Sequence, residues 1–218
     1  MTYKNAIKID KRTYLKYYIS LLKTKHPIMF AFFPIKDFNI LIIKICIFFF
    51  SFSICVALNT ILFDYKVIHI IYENEGNYNV FDFFPQIIIS FFISYYITII
   101  IKFFVLSERD IVIIKNEKHI SQASNKISKI ERCIITKNII YFVISILFLS
   151  FFWYYLSGFC AVYQNSQVHL IKNSLISFIF GFIYPWFANL FPGIIRRIAL
   201  NSQKKECMYK ISLIIQLL

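Results

Sequence analysis

Turn-forming chemistry is what this chain has least of, with 4 Gly and 5 Pro in 218 residues. Tight turns draw on those two residue types, so long uninterrupted elements are expected. Charge is scarce as well: 16% of residues are charged, where a soluble domain carries about 25%. An ordinary soluble domain is thereby ruled out. Acidic residues number 11, and none lies inside the four long apolar runs described below, which argues against proton relays and cation sites built on intramembrane carboxylates. The five cysteines form no C-x-x-C pair, so neither a redox motif nor a zinc site is indicated. H-E-x-x-H, G-x-S-x-G and phosphate-cradling glycine loops are all absent. Proteolysis, acyl transfer and phosphoryl transfer each lack their machinery. No catalytic, cofactor-binding or metal-ligating residue is expected, and no N-x-S/T glycosylation site occurs.

What the chain does have is hydrocarbon. Hydrophobic residues make up 59%, with 26 Phe and 15 Tyr, and the mean hydropathy is +0.65. Four apolar runs reach the roughly 20 residues that cross a bilayer as helix: 38–63, 84–106, 139–158 and 174–195. A fifth, Tyr14–Pro34, carries Lys16, Lys23, Lys25 and His26. Each central lysine would cost about 2.5–3.5 kcal/mol on insertion, so this run should not cross unaided. Tyr14, Leu15, Tyr18, Leu21 and Leu22 recur at helical spacing beside Lys8, Lys11, Arg12, Lys16 and Lys23. That pattern predicts an amphipathic helix lying on the membrane surface, broken near His26-Pro27 and again at Pro34.

The net charge of +13 would point to nucleic acid if it lay on one water-exposed face. It does not. Residues 1–37 hold eight basic side chains, 64–83 one, 107–138 seven, 159–173 one and 196–218 five. This alternation of rich and poor segments is an orientation signal. By the positive-inside rule, both termini and the 107–138 loop are expected in the cytosol, against an anionic leaflet, and no nucleic-acid partner is expected. Lys44 and Lys102 fall inside spans near that same face and should snorkel to it, where phosphate-like groups could meet them. The first apolar stretch follows a long basic one with no small-residue cleavage site. No signal peptide is therefore expected, and the first span would act as its own uncleaved signal.

Three domains follow: an interfacial segment 1–36, a four-span domain 37–198, and an interfacial tail 199–218. Within 107–138, the second helix is expected to continue through Ile111–Ile114, turn near Asn116 or Ser121–Asn125, and return through Ile127, Ile130 and Ile134. The tail, with Tyr209, Ile211, Leu213, Ile214, Ile215 and Leu217, is too short to span. His69 and Glu73, four apart, could share a helix face. Cys46, Cys55 and Cys160 read as packing residues, while Cys133 and Cys207 lie near the membrane as possible palmitoylation sites.

The most distinctive stretch is 151–198. An aromatic belt, Phe151-Phe152-Trp153-Tyr154-Tyr155, leads through small residues to a polar turn containing Tyr163, Asn165, Gln167 and His169, then to Lys172. Ser174, Ser177 and Gly181 follow at i, i+3 and i+7, a small-residue face that would let helices approach closely. Pro185 interrupts the fourth span, and Pro192-Gly193 sits near its end; such breaks occur in static bundles and in moving transport helices. Tyr163, Asn165, Gln167, His169, Lys172, Ser177, Gly181 and Pro185 are thus the candidate packing and interaction residues.

Phe152-Trp153-Tyr154-Tyr155, Phe159-Cys160-Ala161-Val162-Tyr163, His169-Leu170-Ile171-Lys172, Tyr184-Pro185 and Pro192-Gly193, with His26-Pro27, Asp37-Phe38-Asn39, the 71–78 stretch and Leu106-Ser107-Glu108, together resemble a multi-pass membrane module of single-celled eukaryotes. Its members are often the C-terminal membrane portion of large surface proteins, and it carries no assigned activity, so it implies no catalytic residue. The ordering is also faintly similar to the membrane helices after the PLAT domain in polycystin-1-like proteins, through Tyr163, Gln167 and the 175–178 run. The chain departs from the module at Asn173, where Asp is usual, and at Ser166, where Thr is usual. An all-α integral membrane four-helix bundle with an amphipathic N-terminal helix is expected. The expected role is a non-enzymatic membrane anchor or assembly subunit, with a protein partner or a second copy; the alternative is a small oligomeric channel or transporter subunit.

Overall fold

The computed structural model describes residues 3, 10, 12–35, 37–63, 65–73, 76–77, 79–115, 120–201 and 206–217. Among these every regular element is helical: α1 Tyr14–Lys25, α2 Pro27–Phe32, α3 Leu41–Ile61, α4 Tyr65–Glu73, α5 Val80–Val105, α6 Glu108–Lys115, α7 Ile120–Val162, a 3-10 turn Gln164–Ser166, α8 Gln167–Ala188, α9 Leu190–Asn201 and α10 Glu206–Leu217. The fold is all-α. Four stretches are long and apolar enough to cross a membrane: Leu41–Ile61, Val80–Val112, Lys126–Val162 and Gln164–Leu200. The chain divides into two compact units, Lys36–Phe180 and Met1–Ile35 with Gly181–Leu218, the boundary falling within α8.

The larger unit is built on α3. Of its spanning stretch 39% is buried, against 17% for that of α7, which makes α3 the inner helix and α7 a peripheral one. Towards the α3 N-terminus, Ile43, Ile47, Phe50 and Ile54 meet Val105 of α5 and Tyr141 of α7. Phe50 lies edge-on to Tyr141 and Phe148, a favoured aromatic geometry. At the opposite end Phe63, Phe83, Ile87, Phe159 and Leu170 form a second cluster, closed by Ile68 and Ile71 of α4. His69 and Glu73 do share the outward face of α4, 3.1 Å apart and exposed. Gly76 (φ 79°) ends this segment, its N–H donating to the Ile71 carbonyl at 2.9 Å. The left-handed conformation suits glycine.

Several boundaries differ from the sequence expectation, α8 starting at Gln167 rather than residue 174, and three have a plain cause. First, α5 begins at Val80 rather than residue 84, because Asn79 caps it, its side chain accepting from Phe81 N at 3.2 Å. Second, α5 does not continue through Ile111–Ile114. It stops at Val105, and Asn39 Oδ1 accepts from Ser107 N (3.0 Å) and Glu108 N (3.1 Å). A side chain 68 residues away thus caps α6, supplying the partner that its first-turn N–H groups need. Third, no turn interrupts Ser121–Asn125. Helix α7 runs unbroken from Ile120 for 43 residues, about 64 Å of helix against a hydrocarbon layer of about 30 Å. Residues 120–138 contain neither Gly nor Pro, so nothing there breaks the helix. The alternative turn at Asn116 lies outside the described residues.

In the smaller unit, Thr13 caps α1, accepting from Lys16 N at 3.4 Å. His26 Nδ1 then accepts from Met29 N, and Pro27 at the first position starts α2, where a missing N–H costs nothing. The His26 ring stacks on Phe182 and meets Trp186 edge-on. The break expected near His26-Pro27 is therefore a capped corner. The buried face of α1 is Tyr17, Leu21 and Leu22, whereas Leu15 is 64% exposed and belongs to the other side. Helix α8 ends where Asn189 Nδ2 donates to the Pro185 carbonyl at 2.6 Å. Pro192 sits in the first turn of α9, where its ring removes only a free donor. The tail forms α10, with Tyr209 buried beside Ala199 and Tyr3.

Candidate functional site

Many of the buried polar residues of α3, α5 and α8 in the larger unit gather in one place. Cys55 and Asn59 on α3, Gln86, Ser90 and Ser94 on α5, and Asn173 and Ser177 on α8 each recur four residues apart, so each set lies on one helix face. Asn59, Ser90 and Asn173 are wholly buried, and Ser177 is 1% exposed. Asn59 Nδ2 donates to the Cys55 carbonyl (2.9 Å) and to Ser177 Oγ (3.2 Å). Ser177 Oγ donates to the Ile87 carbonyl at 3.1 Å. Gln86 Nε2 donates to the Asn59 carbonyl at 2.9 Å, and Asn173 Nδ2 reaches Gln86 Oε1 at 3.4 Å. Nearer mid-span, Thr98 Oγ1 bonds Ser51 Oγ at 3.0 Å. Ser90 Oγ and Ser174 Oγ are buried and make no hydrogen bond among the described residues.

This cluster joins three helices with neutral amides and hydroxyls. It holds no group that titrates near neutrality and no base to activate a nucleophile. What it can do is hold α3, α5 and α8 in one register, at about 0.6–1.7 kcal/mol for each interhelical bond. Among the described residues no group of three His, Cys, Asp or Glu is placed to hold a metal.

A second polar station lies at the N-terminal end of α3. Lys44 does not snorkel: it is 3% exposed, its Nζ held by Asp37 at 2.9 and 3.0 Å. Asn39 Nδ2 donates to the same carboxylate at 2.8 Å. The lysine stays inside because Asp37, seven residues upstream, folds back to neutralise it; a buried charge persists only when paired. Lys102 is half-buried on α5. The Asp37-Phe38-Asn39 and Leu106-Ser107-Glu108 stretches are thus one structure, ion pair and helix cap together.

The smaller unit has its own polar centre. Asp10 accepts from Arg12 (2.7 and 2.9 Å) and from Arg196 (2.8 and 3.3 Å). The Arg196 guanidinium lies 4.7 Å over the Tyr17 ring and 5.0 Å over Tyr209, within cation–π range. The Arg12 hydrogen bonds, opposed by burial and reinforced by Arg196, hold the Asp10 carboxyl well below the usual carboxylate range. Burial in turn pushes the Tyr17 phenol up.

The eight sequence candidates do not form one site. Gln167 Nε2 donates to the Cys160 carbonyl at 2.8 Å and so caps the C-terminus of α7. Tyr163 packs on Phe159, centroids 5.1 Å apart. His169 is buried against Phe83, and it lies on α8 rather than in a turn. Asn165 and Lys172 are exposed. Only Ser177 enters the polar cluster. Pro185 is buried in the smaller unit, its carbonyl taken by Asn189. Gly181 is not a close-approach point: a Cβ there meets nothing within 4 Å. Gly193 is one, since a Cβ would lie 2.9 Å from Tyr14 Cε2.

Gly181→Ala should therefore be neutral or slightly stabilising, because alanine is the better helix former. Gly193→Ala should cost about 1–3 kcal/mol by overpacking. Thermal unfolding of the two variants in detergent checks the contrast, and equal losses would mean that the two contacts are misassigned.

No protein family, curated protein or solved structure matches the chain. Geometry alone carries the functional reading. Sequence reasoning passed over Gln86, Ser90 and the Asp37–Lys44 pair. The four-residue spacing of Gln86, Ser90 and Ser94 was a usable signal for a polar face in an apolar helix. The ion pair left none, because Asp37 lies outside the helix that it serves.

Proposed function

We propose that the protein is a non-enzymatic membrane anchor or assembly subunit of a larger membrane complex, multi-pass, with both termini and the 107–138 segment in the cytosol. The observation that carries this reading is the wide uncovered face of α7. In its apolar half Tyr141, Ser145, Phe152 and Phe159 are buried, while Phe151, Trp153 and Tyr154 are 70%, 64% and 79% exposed. Tryptophan and tyrosine are favoured at protein interfaces as well as at the edges of bilayers. The occupant proposed for this face is a partner's membrane helix or a second copy. Asn59, Gln86, Asn173 and Ser177 support the same reading, since they bond one another and the backbones of neighbouring helices. A channel or transporter subunit has the Pro185–Asn189 break of α8 in its favour.

The test is purification in mild detergent, identification of what co-purifies, and measurement of the particle's mass. A partner or a homo-oligomer is expected, and Trp153→Ala with Tyr154→Ala should release most of it. A lone monomer that binds nothing would remove the reading, and solute flux after reconstitution would favour the channel. Orientation is checked by thiol labelling of sealed cells. Cys133 and Cys207 are exposed and should react only after the membrane is opened, whereas Cys55, 1% exposed, should stay unreacted in both conditions. Labelling of Cys133 or Cys207 from outside would reverse the orientation.

A further inference from the structure

A groove of about 610 Å³ lies between α3, α5 and α7, within the larger unit. Its walls include Ile54 and Leu58 of α3, Ile97 and Ile101 of α5, and Ile144 and Phe148 of α7, all carbon. The groove has a polarity gradient along α7. Lys137, Tyr141 and Ser145 line it four residues apart, so they descend one helix face at about 6 Å per step. Below them the α7 wall continues as Phe148. Lys137 bonds Asp110, which occupies one of the three donors that an ammonium offers. Ser145 Oγ is buried beside the Tyr141 hydroxyl, 7% of the residue remaining exposed.

We propose that this groove binds one acyl chain of an anionic phospholipid, with its phosphate at Lys137 and its ester carbonyl beside the Tyr141 and Ser145 hydroxyls. The order of groups along the groove is the order along such a lipid: anion, ester, hydrocarbon. From Lys137 to Phe148 the α7 wall spans about 16 Å, roughly half the hydrocarbon thickness and therefore the depth of one leaflet. The volume falls within the roughly 300–1,000 Å³ typical of small-molecule pockets. Water does not suit walls that offer it so few partners. A lipid occupant requires that the helices span a bilayer. It is independent of any protein partner, so a chain that purifies alone still tests it.

The full chain is reconstituted in bilayers of equal parts phosphatidylcholine and phosphatidylserine, extracted in mild detergent, and weighed intact by mass spectrometry. Retention of one phosphatidylserine in preference to phosphatidylcholine is expected. Lys137→Gln should weaken that preference about fivefold, the equivalent of about 1 kcal/mol for one cation near an anionic headgroup. Lys137→Arg should keep the preference. Ile144→Trp, which fills the groove from an exposed position, should abolish retention of both lipids. Ile100→Trp does the same from α5 if the first variant fails to fold. Equal retention of the two lipids, a preference unchanged in Lys137→Gln, or a lipid-free dimer would each overturn the proposal.

Discussion

Replacing Asp37 by alanine should cost the larger unit about 3–5 kcal/mol, the penalty for removing one partner of a buried ion pair. The Asp37 and Lys44 side chains are 8% and 4% exposed. Without the carboxylate, the buried Lys44 ammonium loses its counter-ion. The same substitution removes a hydrogen bond from Asn39, the residue that caps α6, so α6 should loosen as well. Lys44→Met alone strands the carboxylate and should be nearly as costly. The double variant Asp37→Leu with Lys44→Met should recover most of the loss, because a buried pair is often replaceable by apolar groups of similar volume. Unfolding in denaturant, followed in detergent for Asp37→Leu, Lys44→Met and the double variant, measures the coupling. A loss under about 1 kcal/mol for Asp37→Ala would mean that the pair behaves as an exposed one, and that Lys44 reaches water after all.

Arg196→Ala should be comparably severe in the smaller unit, again about 3–5 kcal/mol. It leaves Asp10 with Arg12 alone and removes a cation lying between two aromatic rings. Arg196→Lys keeps the charge but not the planar fork or the stacking, so an intermediate loss is expected. Amide hydrogen exchange should show the damage in α1, α9 and α10 while α3 and α5 keep their protection. Uniform loss across all helices would mean that Arg196 does not act locally.

The pH dependence of this centre has a definite sign. The carboxyl of Asp10 is lowered in the folded protein, so its contribution is complete above the unfolded value of about 3.9. That contribution is lost as pH falls through the lower, folded value. The stability difference between the native chain and Asp10→Asn should therefore stay constant from neutral pH down to about 5. It should narrow only in stronger acid. A difference that closed near pH 6 would implicate a histidine instead.

Much of the architecture could be read without coordinates, for identifiable reasons. Apolar runs of membrane length make helices almost regardless of what surrounds them, since a backbone in lipid must satisfy its own hydrogen bonds. The regular alternatives among the described residues are absent, and four spanning-length helices lie close to the expected runs. His26-Pro27 was legible as a break because proline at a first helical position and a capping side chain are local signals. The break after Val105 was not, because its cause is Asn39, far away in sequence. The length of α7 is hidden for the converse reason: Ser121, Ser124 and Asn125 are residues that turns favour, yet no Gly or Pro stands there to break the helix.

The candidate site shows the same division. Gln167 stood out as polar, yet its role as a cap on α7 depends on the Cys160 carbonyl being within reach. Gly181 and Gly193 look alike in sequence, and only Gly193 has a ring against it. In sequence, Lys44 and Lys102 both read as snorkelling lysines. Asp37 sets Lys44 apart.

The sequence by itself determined the class of this protein: all-helical, four spans by length and hydropathy, and an amphipathic lead-in with a capped corner. Those properties follow from local composition and from the solvent that the composition requires. Tertiary structure alone decided which polar groups meet: Asn59 with Ser177 and Gln86, Asp37 with Lys44, and Arg196 between Tyr17 and Tyr209. It also decided that Lys137, Tyr141 and Ser145 line the mouth of an apolar groove instead of facing lipid singly. A hydrogen bond or an ion pair needs its partner within about 3 Å, and residues 118 or 186 positions apart in the chain come that close only through packing.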